Sequence, residues 1–229
     1  MAAVTPAAVP ELWSGEAASL ADRAYLHLRE EIIRVELAPG TLLREDELTH
    51  RVGVGRTPVR EAVQRLHRDG FVTIIPRRGT LVSEINITDL AAIYEVRARL
   101  ESWAAGLAAE RAGDADRAAA EQLMQELDAL TPDDGHEALL ALDRRIHRFA
   151  YRCTRNAFFA ETLDQYHNLS LRILYVALKR YPTLTPRLED VVQDQRRLLD
   201  AIRSGDGATA EKAAFDHVRT FEGEIRKVI

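Results

Sequence analysis

Apolar residues recur four apart at Leu20, Ala24, Leu28 and Ile32, which predicts a helix that ends before Pro39 and Gly40. A second short helix is expected in REDELTHRV, and VGVG after it reads as a tight turn. Val59, Ala62, Val63 and Leu66 then follow the spacing of a buried helical stripe. Thr57 is placed as N-cap, Pro58 in the first turn and Gly70 as the stop. FVTII and TLVSEI are β-prone runs on either side of PRRG, the pattern of a hairpin. Helix, helix, turn, helix and hairpin together form a winged helix-turn-helix.

After NITD the pattern becomes helical throughout. Helices are expected near residues 88–112, 115–130, 136–154, 157–180, 187–204 and 207–228, the fifth opening at Thr185–Pro186 and the last capped by Asp206. The fold is therefore expected to be mainly α: a winged helix-turn-helix of three helices plus a β-hairpin, then an all-α antiparallel bundle of six or seven helices. Its parts are a flexible arm at 1–18 with Trp13 as sole bulky anchor, the winged helix-turn-helix at 19–85 and the helical bundle at 86–229. No internal repeat or heptad run interrupts this reading.

Composition narrows the class. The chain has 229 residues, of which 46% are hydrophobic, enough for packed cores and too many for a disordered protein. It has neither an 18-residue apolar run nor the charged-then-apolar start of a signal peptide, so a cytoplasmic protein with no membrane segment is expected. The single Cys153 can form no internal disulfide and is expected to be a buried small hydrophobe. Charge is unevenly spread: in residues 51–80 seven arginines face only Glu61 and Asp69, leaving +5 there and −10 elsewhere, within a net charge of −5. A solvated face accounts for such a run; so does a patch for a polyanion.

The helical angle separates these arginines. Arg56, Arg60 and Gln64 fall on one stripe, about a quarter turn from the apolar one, so a helix seated by its apolar side offers them to a DNA groove. Arginine pairs with guanine and glutamine with adenine, while Thr57 can reach a phosphate or base edge. Arg77 and Arg78 at the hairpin tip suit a minor groove or phosphates. Arg65 and Arg68 point away, beside Glu61, and are expected to be solvated.

The stretch from LREEIIRVELAPG through VGVGRTPVREAVQRLHRDGFV to IIPRRGTLV resembles the N-terminal domain of the GntR family of bacterial transcription regulators. The resemblance implies that Arg56, Thr57, Arg60 and the wing glycine Gly79 occupy DNA-contacting positions. Gly55 departs from the family's usual Ser, which removes a hydroxyl, and Val35 stands where Gly is common.

In the helical region Asp143 and His147 lie four apart on the face that carries Leu139, Leu140, Ile146 and Ala150. Gln195 sits among Leu188, Val191, Leu198, Leu199 and Ile202, and His217 among Ala210, Ala213, Ala214, Phe221 and Ile225. Three helices thus bring polar groups to the middle of apolar faces, which suits convergence on an internal polar site. Satisfied core polar residues and a metal site both fit that pattern. Arg97 lies on an apolar stripe with Leu90, Ile93, Leu100 and Ala104, with Glu101 one turn on as a partner for a buried ion pair. Arg172 shares a polar face with Gln165, Asn168 and Lys179 and is expected at the surface; His167 borders an apolar face as a core histidine or a spare ligand.

This region resembles the FCD ligand-binding domain of the FadR subfamily over residues 88–225. The resemblance implies a divalent metal, zinc, nickel or manganese, on Asp143, His147, position 195 and His217, and a carboxylate effector read by Arg97. Gln195 replaces the family's histidine there, which implies a weakened, shifted or lost metal. The expected function is a homodimeric, effector-responsive regulator, a repressor by the commoner outcome, on a palindromic double-stranded operator and without catalysis. A metal-dependent enzyme using Asp143, His147 and His217, and a metal-free acyl-CoA sensor of the same family, are the alternatives.

Overall fold

The structure, a computed structural model, describes residues 19–180 and 188–226. The expected arm with Trp13, the Thr185–Pro186 helix start and the expected end of the last helix at 227–228 lie outside the described residues. Those described form two compact units, one of residues 19–90 with 168–180, the other of 91–167 with 188–226.

The first unit opens with α1 (Leu20–Ile33), whose Ser19 side chain accepts a hydrogen bond from the Asp22 amide as N-cap. Ala24, Leu28 and Ile32 of the expected stripe are fully buried, but Leu20 at the first position of the helix is exposed. Next come β1 (Leu42–Leu43) and α2 (Glu45–Val52), and Gly53 at φ +68 ends α2 in the left-handed conformation. Helix α3 (Arg56–Arg68) starts one residue before the expected cap: Gly55 is the N-cap and Thr57 stands inside the first turn. Proline's fixed φ suits any first-turn position, so Pro58 did not locate the boundary. Val59, Ala62 and Leu66 are buried and Val63 half-buried.

Strands β2 (Val72–Ile75) and β3 (Gly79–Val82) form the expected hairpin. The two-residue β1 pairs with β3 as well, Leu42 opposite Leu81, giving the order β1-β3-β2. Nothing in the sequence marks so short a strand. The wing turn requires Gly79: its φ is +105, and a Cβ there would stand 3.0 Å from a Leu42 methyl.

Arg65 corrects the sequence reading. It is half-buried, stacks 3.9 Å from the Tyr25 ring centre and binds Asp22 at 3.0 Å. Tyr25 in turn donates to Asp69 at 2.7 Å. These contacts tie α1 to both the middle and the end of α3.

Six helices follow: α4 (Ile87–Arg111), α5 (Asp114–Ala129), α6 (Gly135–Cys153), α7 (Ala157–Arg180), α8 (Leu188–Ser204) and α9 (Gly207–Arg226). A 3₁₀ turn at Pro132–Asp134 leads into α6, and Asp206 accepts from the Thr209 amide at the start of α9, the expected cap. No strand occurs in this region among the described residues. Alanines of α4 (Ala105, Ala108, Ala109) and α9 (Ala210, Ala213, Ala214) share a core with Leu123, Ile146, Phe149 and Leu199. Cys153 belongs to that core, where burial pushes its thiol up to about 12. The last turns of α7 belong to the first unit. Arg172 is buried there, donating to the Ser83 carbonyl, and Asn168 is fully buried, so the expected surface face of α7 is interior. Lys179 remains exposed, on the Val35 carbonyl at 2.9 Å.

That carbonyl belongs to a strained residue. Val35 has φ +58, where a β-branched side chain crowds its own backbone. Val35→Gly is expected to stabilise the protein by about 0.5–1 kcal/mol, the relieved strain exceeding glycine's entropic cost. Urea midpoints of the two proteins measure this, and a lower midpoint for the variant would show that the strain is not there.

Candidate DNA-reading face and buried polar cluster

Helix α3 is seated by Val59, Ala62 and Leu66, which turns its other face to solvent. Arg56, Thr57, Arg60 and Gln64 are all exposed along that face, as are Arg77, Arg78 and Gly79 at the wing. Two arginines of this face rest on acids of α2: Arg60 Nε donates to Glu45 at 2.7 Å and Arg56 Nη2 to Asp46 at 3.0 Å. Exposed pairs of this kind are weak and salt-sensitive, so they hold the guanidiniums near the surface without fixing them. As N-cap, Gly55 offers α3 no side-chain hydrogen bond, and a Cβ placed on it would meet nothing within 4 Å.

The second site is interior. Asp143 and His147 from α6, Gln195 from α8 and His217 from α9 are each no more than 4% exposed and meet at one point. Asp143 Oδ1 lies 3.3 Å from His217 Nε2 and 3.6 Å from His147 Nε2, and the two histidine nitrogens are 3.3 Å apart. Gln195 Nε2 donates to Asp143 Oδ1 at 2.5 Å and lies 3.2 Å from His217 Nε2. A carboxylate only accepts, so the amide nitrogen must face Asp143. Gln195 Oε1 and His217 Nδ1 are left buried with no hydrogen-bond partner.

The other nitrogen of His147 continues the chain. Nδ1 lies 3.1 Å from Glu101 Oε2, and Glu101 Oε1 accepts from Arg97 Nε at 2.6 Å. Arg97 Nη2 also stands 3.2 Å from His167 Nδ1, and the His167 ring lies 4.5 Å from that of His147. Glu101 is thus more than a partner for Arg97. The i, i+4 spacing predicts that pair, but the approach of α6 to α4 is a tertiary fact without a sequence signal.

Electrostatics follow from this crowding. Burial alone would strip the charge from His147, but Asp143 and Glu101 on its two sides outweigh it and hold its pKa at about 9. Burial would likewise raise Asp143, yet His147 and His217 hold it well below the usual carboxylate range. Burial is also opposed at Glu101, which Arg97 and His147 keep ionised. His167 is pushed well down, first by burial and then by the cations of His147 and Arg97.

Two donor sets have the reach to hold a metal ion: Asp143, His147 and His217, and Glu101, His147 and His167. Bonds of ~2.0–2.1 Å in a tetrahedron place ligand atoms roughly 3.3 Å apart, which the first set matches. Gln195 Nε2 stands at the fourth corner, 2.5 to 3.5 Å from the other three. The second set is electrostatically poorer, because the Arg97 guanidinium already occupies Glu101.

A helix-turn-helix unit with an exposed basic face, followed by a helical unit with a polar heart, is the architecture of a DNA-binding regulator. Residues 20–82 match the profile of bacterial regulatory proteins of the gntR family, and residues 92–220 match the FCD domain. The chain belongs to the GntR family of transcriptional regulators, in its FCD-containing, FadR-like branch. It is 28% identical to the HTH-type transcriptional repressor GlaR of Escherichia coli, over 86% of this chain and 91% of that protein. It is 26% identical to the repressor RspR of the same species, over 89% and 88%. The solved structure of E. coli McbR/YncC superposes with a TM-score of 0.80 at 22% identity, covering 92% of this chain and 98% of that one. The family and these relatives are regulators, not enzymes, which removes the metal-enzyme reading. Among the described residues no helix is long and apolar enough to cross a membrane.

The raised pKa of His147 has a measurable consequence. Its proton is held to about pH 9 in the folded protein and to about 6.5 in the unfolded chain. The stabilisation is complete below pH 6.5 and lost as pH rises through 9. Denaturation series in a chelator are expected to show stability falling over that window, with a flatter profile for His147→Gln. A wild-type profile that rises with pH there would refute a proton on His147.

Proposed function

We propose that the protein is a cytoplasmic, homodimeric repressor that reads a palindromic operator with its two winged helices and releases it on binding a small organic carboxylate. The observation that carries this reading is the exposed stripe of Arg56, Arg60 and Gln64, on a helix seated by buried residues, beside a wing tipped by Arg77 and Arg78. DNA phosphates would draw Arg56 and Arg60 off Asp46 and Glu45, leaving their forks for base edges. Two-fold pairing is supported by exposed aromatic surface in the helical region, where Trp103 is 57% and Phe158 80% exposed. GlaR and RspR, both named repressors, support the sign.

For the effector, Arg97 supplies the recognition. It is buried and already binds a carboxylate in Glu101, so an organic acid reaching it would compete for the same donors. Asp143, His147, His217 and the Oε1 end of Gln195 would hold a divalent ion, and the orphaned Oε1 supports that assignment. The ion supplies a Lewis-acidic charge to which a carboxylate can bind. Glu101 holds the His147 ring so that Nε2 points to Asp143 and His217. Differential effector affinity for the DNA-competent and released arrangements supplies the response.

Arg60→Ala is expected to weaken specific operator binding by about 1–3 kcal/mol and to lower its salt dependence, while Arg68→Ala changes both little. Gel shifts on DNA flanking the protein's own gene, at several salt concentrations, measure this. Absence of any sequence-specific complex at low salt would refute the regulator reading. Thermal-shift screens of organic acids, with and without zinc, nickel or manganese, test the effector class, since a ligand selective for the folded state raises the melting temperature.

A further inference from the structure

The Gln195 amide presents the wrong end to its neighbours for holding a cation and the right end for holding a carboxylate. Its Nε2 donates to Asp143 Oδ1 at 2.5 Å and lies 3.2 Å from His217 Nε2, while Oε1 is buried with no partner. Yet Nε2 stands at the fourth corner of a figure whose other corners, Asp143 Oδ1, His147 Nε2 and His217 Nε2, are spaced for a metal ion. Nε2 and Oε1 are two ends of one planar group, and a half-turn about the Cγ–Cδ bond exchanges them. An N–H pointing at a cation is repelled, whereas a carbonyl oxygen in the same place is a ligand.

We infer that Gln195 is a built-in competitor for divalent ions: its amide latches Asp143 through a hydrogen bond and must turn over, putting Oε1 in place of Nε2, before an ion can be held. The inference rests on the ion site proposed above and concerns its regulation. Asp143 cannot serve the amide and the ion with the same oxygen, so every ion bound breaks one buried hydrogen bond to a charged acceptor. Such bonds are among the stronger ones in proteins. The consequence is reversible, exchangeable binding in place of a permanently held structural ion. Glu222, on the next turn of α9 from His217, pairs with Arg219 and Arg226 and so supplies no rival ligand. Residue 195 is thereby the position that sets the affinity of the whole site.

Two substitutions separate the amide's role from that of the other ligands. Gln195→His supplies a ligand with no competing amide, and Gln195→Glu supplies an oxygen that cannot donate to Asp143. With zinc alone as probe, calorimetric titration is expected to show both variants binding about ten- to a hundredfold more tightly than wild type. In chelator, Gln195→Glu is expected to melt below wild type, because two carboxylates then meet without the latch. Side-chain amide NMR of the ¹⁵N-labelled wild type reads the turn-over directly. The Gln195 N–H proton bonded to Asp143 is expected far downfield and to move upfield as zinc is added. Zinc affinities of both variants within about twofold of wild type, with binding abolished by Asp143→Ala, would overturn the inference while leaving the site intact. An unmoved Gln195 amide resonance at saturating zinc would do the same. If even Gln195→His binds no zinc through Asp143, the ion site itself falls and the inference with it.

Discussion

The imidazole of His147 has a carboxylate at each nitrogen, Glu101 Oε2 at 3.1 Å and Asp143 Oδ1 at 3.6 Å, and the helical unit is arranged around that constraint. A buried charge is tolerated only when compensated. Along Arg97, Glu101, His147 and Asp143 the signs alternate, so the four groups sum to no net charge. Each is supplied by α4 or α6, with Gln195 from α8, His217 from α9 and His167 from α7 completing the polar shell. Removing one member leaves its neighbour charged and unmatched, which costs more than the pair contributes. Five helices are therefore held to a common point by electrostatics, while α5 contributes Ala120, Leu123 and Leu127 to the apolar core beside them.

One residue type takes three settings in the winged helix, and burial separates them. Arg65 is covered and spends its charge on Asp22 and the Tyr25 ring, which holds α1 against α3. Arg56 and Arg60 lie on weak exposed pairs with α2 acids, so phosphates can displace those partners without unfolding anything. Arg77 and Arg78 project from a turn closed by Gly79. The acidic total of the chain is no obstacle, because its excess of negative charge lies outside residues 51–80.

Much of this was legible in the sequence because it depends on period and punctuation. The helices, the hairpin and the inward placement of Asp143, His147, Gln195 and His217 follow from which face of each helix is apolar. What escaped depends on contacts between elements. Arg65 looked solvated because its cover comes from Tyr25, forty residues earlier in the chain. Arg172 and Asn168 looked exposed because α7 is covered on its polar face too, and periodicity cannot report a helix buried all round. Strand β1 is two residues long, below any periodic signal. Glu101 was legible as a partner for Arg97, one turn away on its own helix, but not as the carboxylate that orients His147 from another.

On the proposed reading of the cluster, a single side chain would set the sensitivity of the site without altering its scaffold. An ion arriving at Asp143, His147 and His217 would then meet two internal rivals: the proton on His147, held to about pH 9, and the amide of Gln195 on Asp143. Both would have to yield, so the affinity would be the intrinsic one reduced by the strength of these contacts. A sensor needs this reduction, because a ligand bound at all concentrations carries no information. The scaffold that positions the donors, with Glu101 orienting His147 and α6 carrying Asp143, is untouched by the identity of residue 195. Affinity can therefore be changed at one position, while the alternating charges that hold the helices together stay as they are.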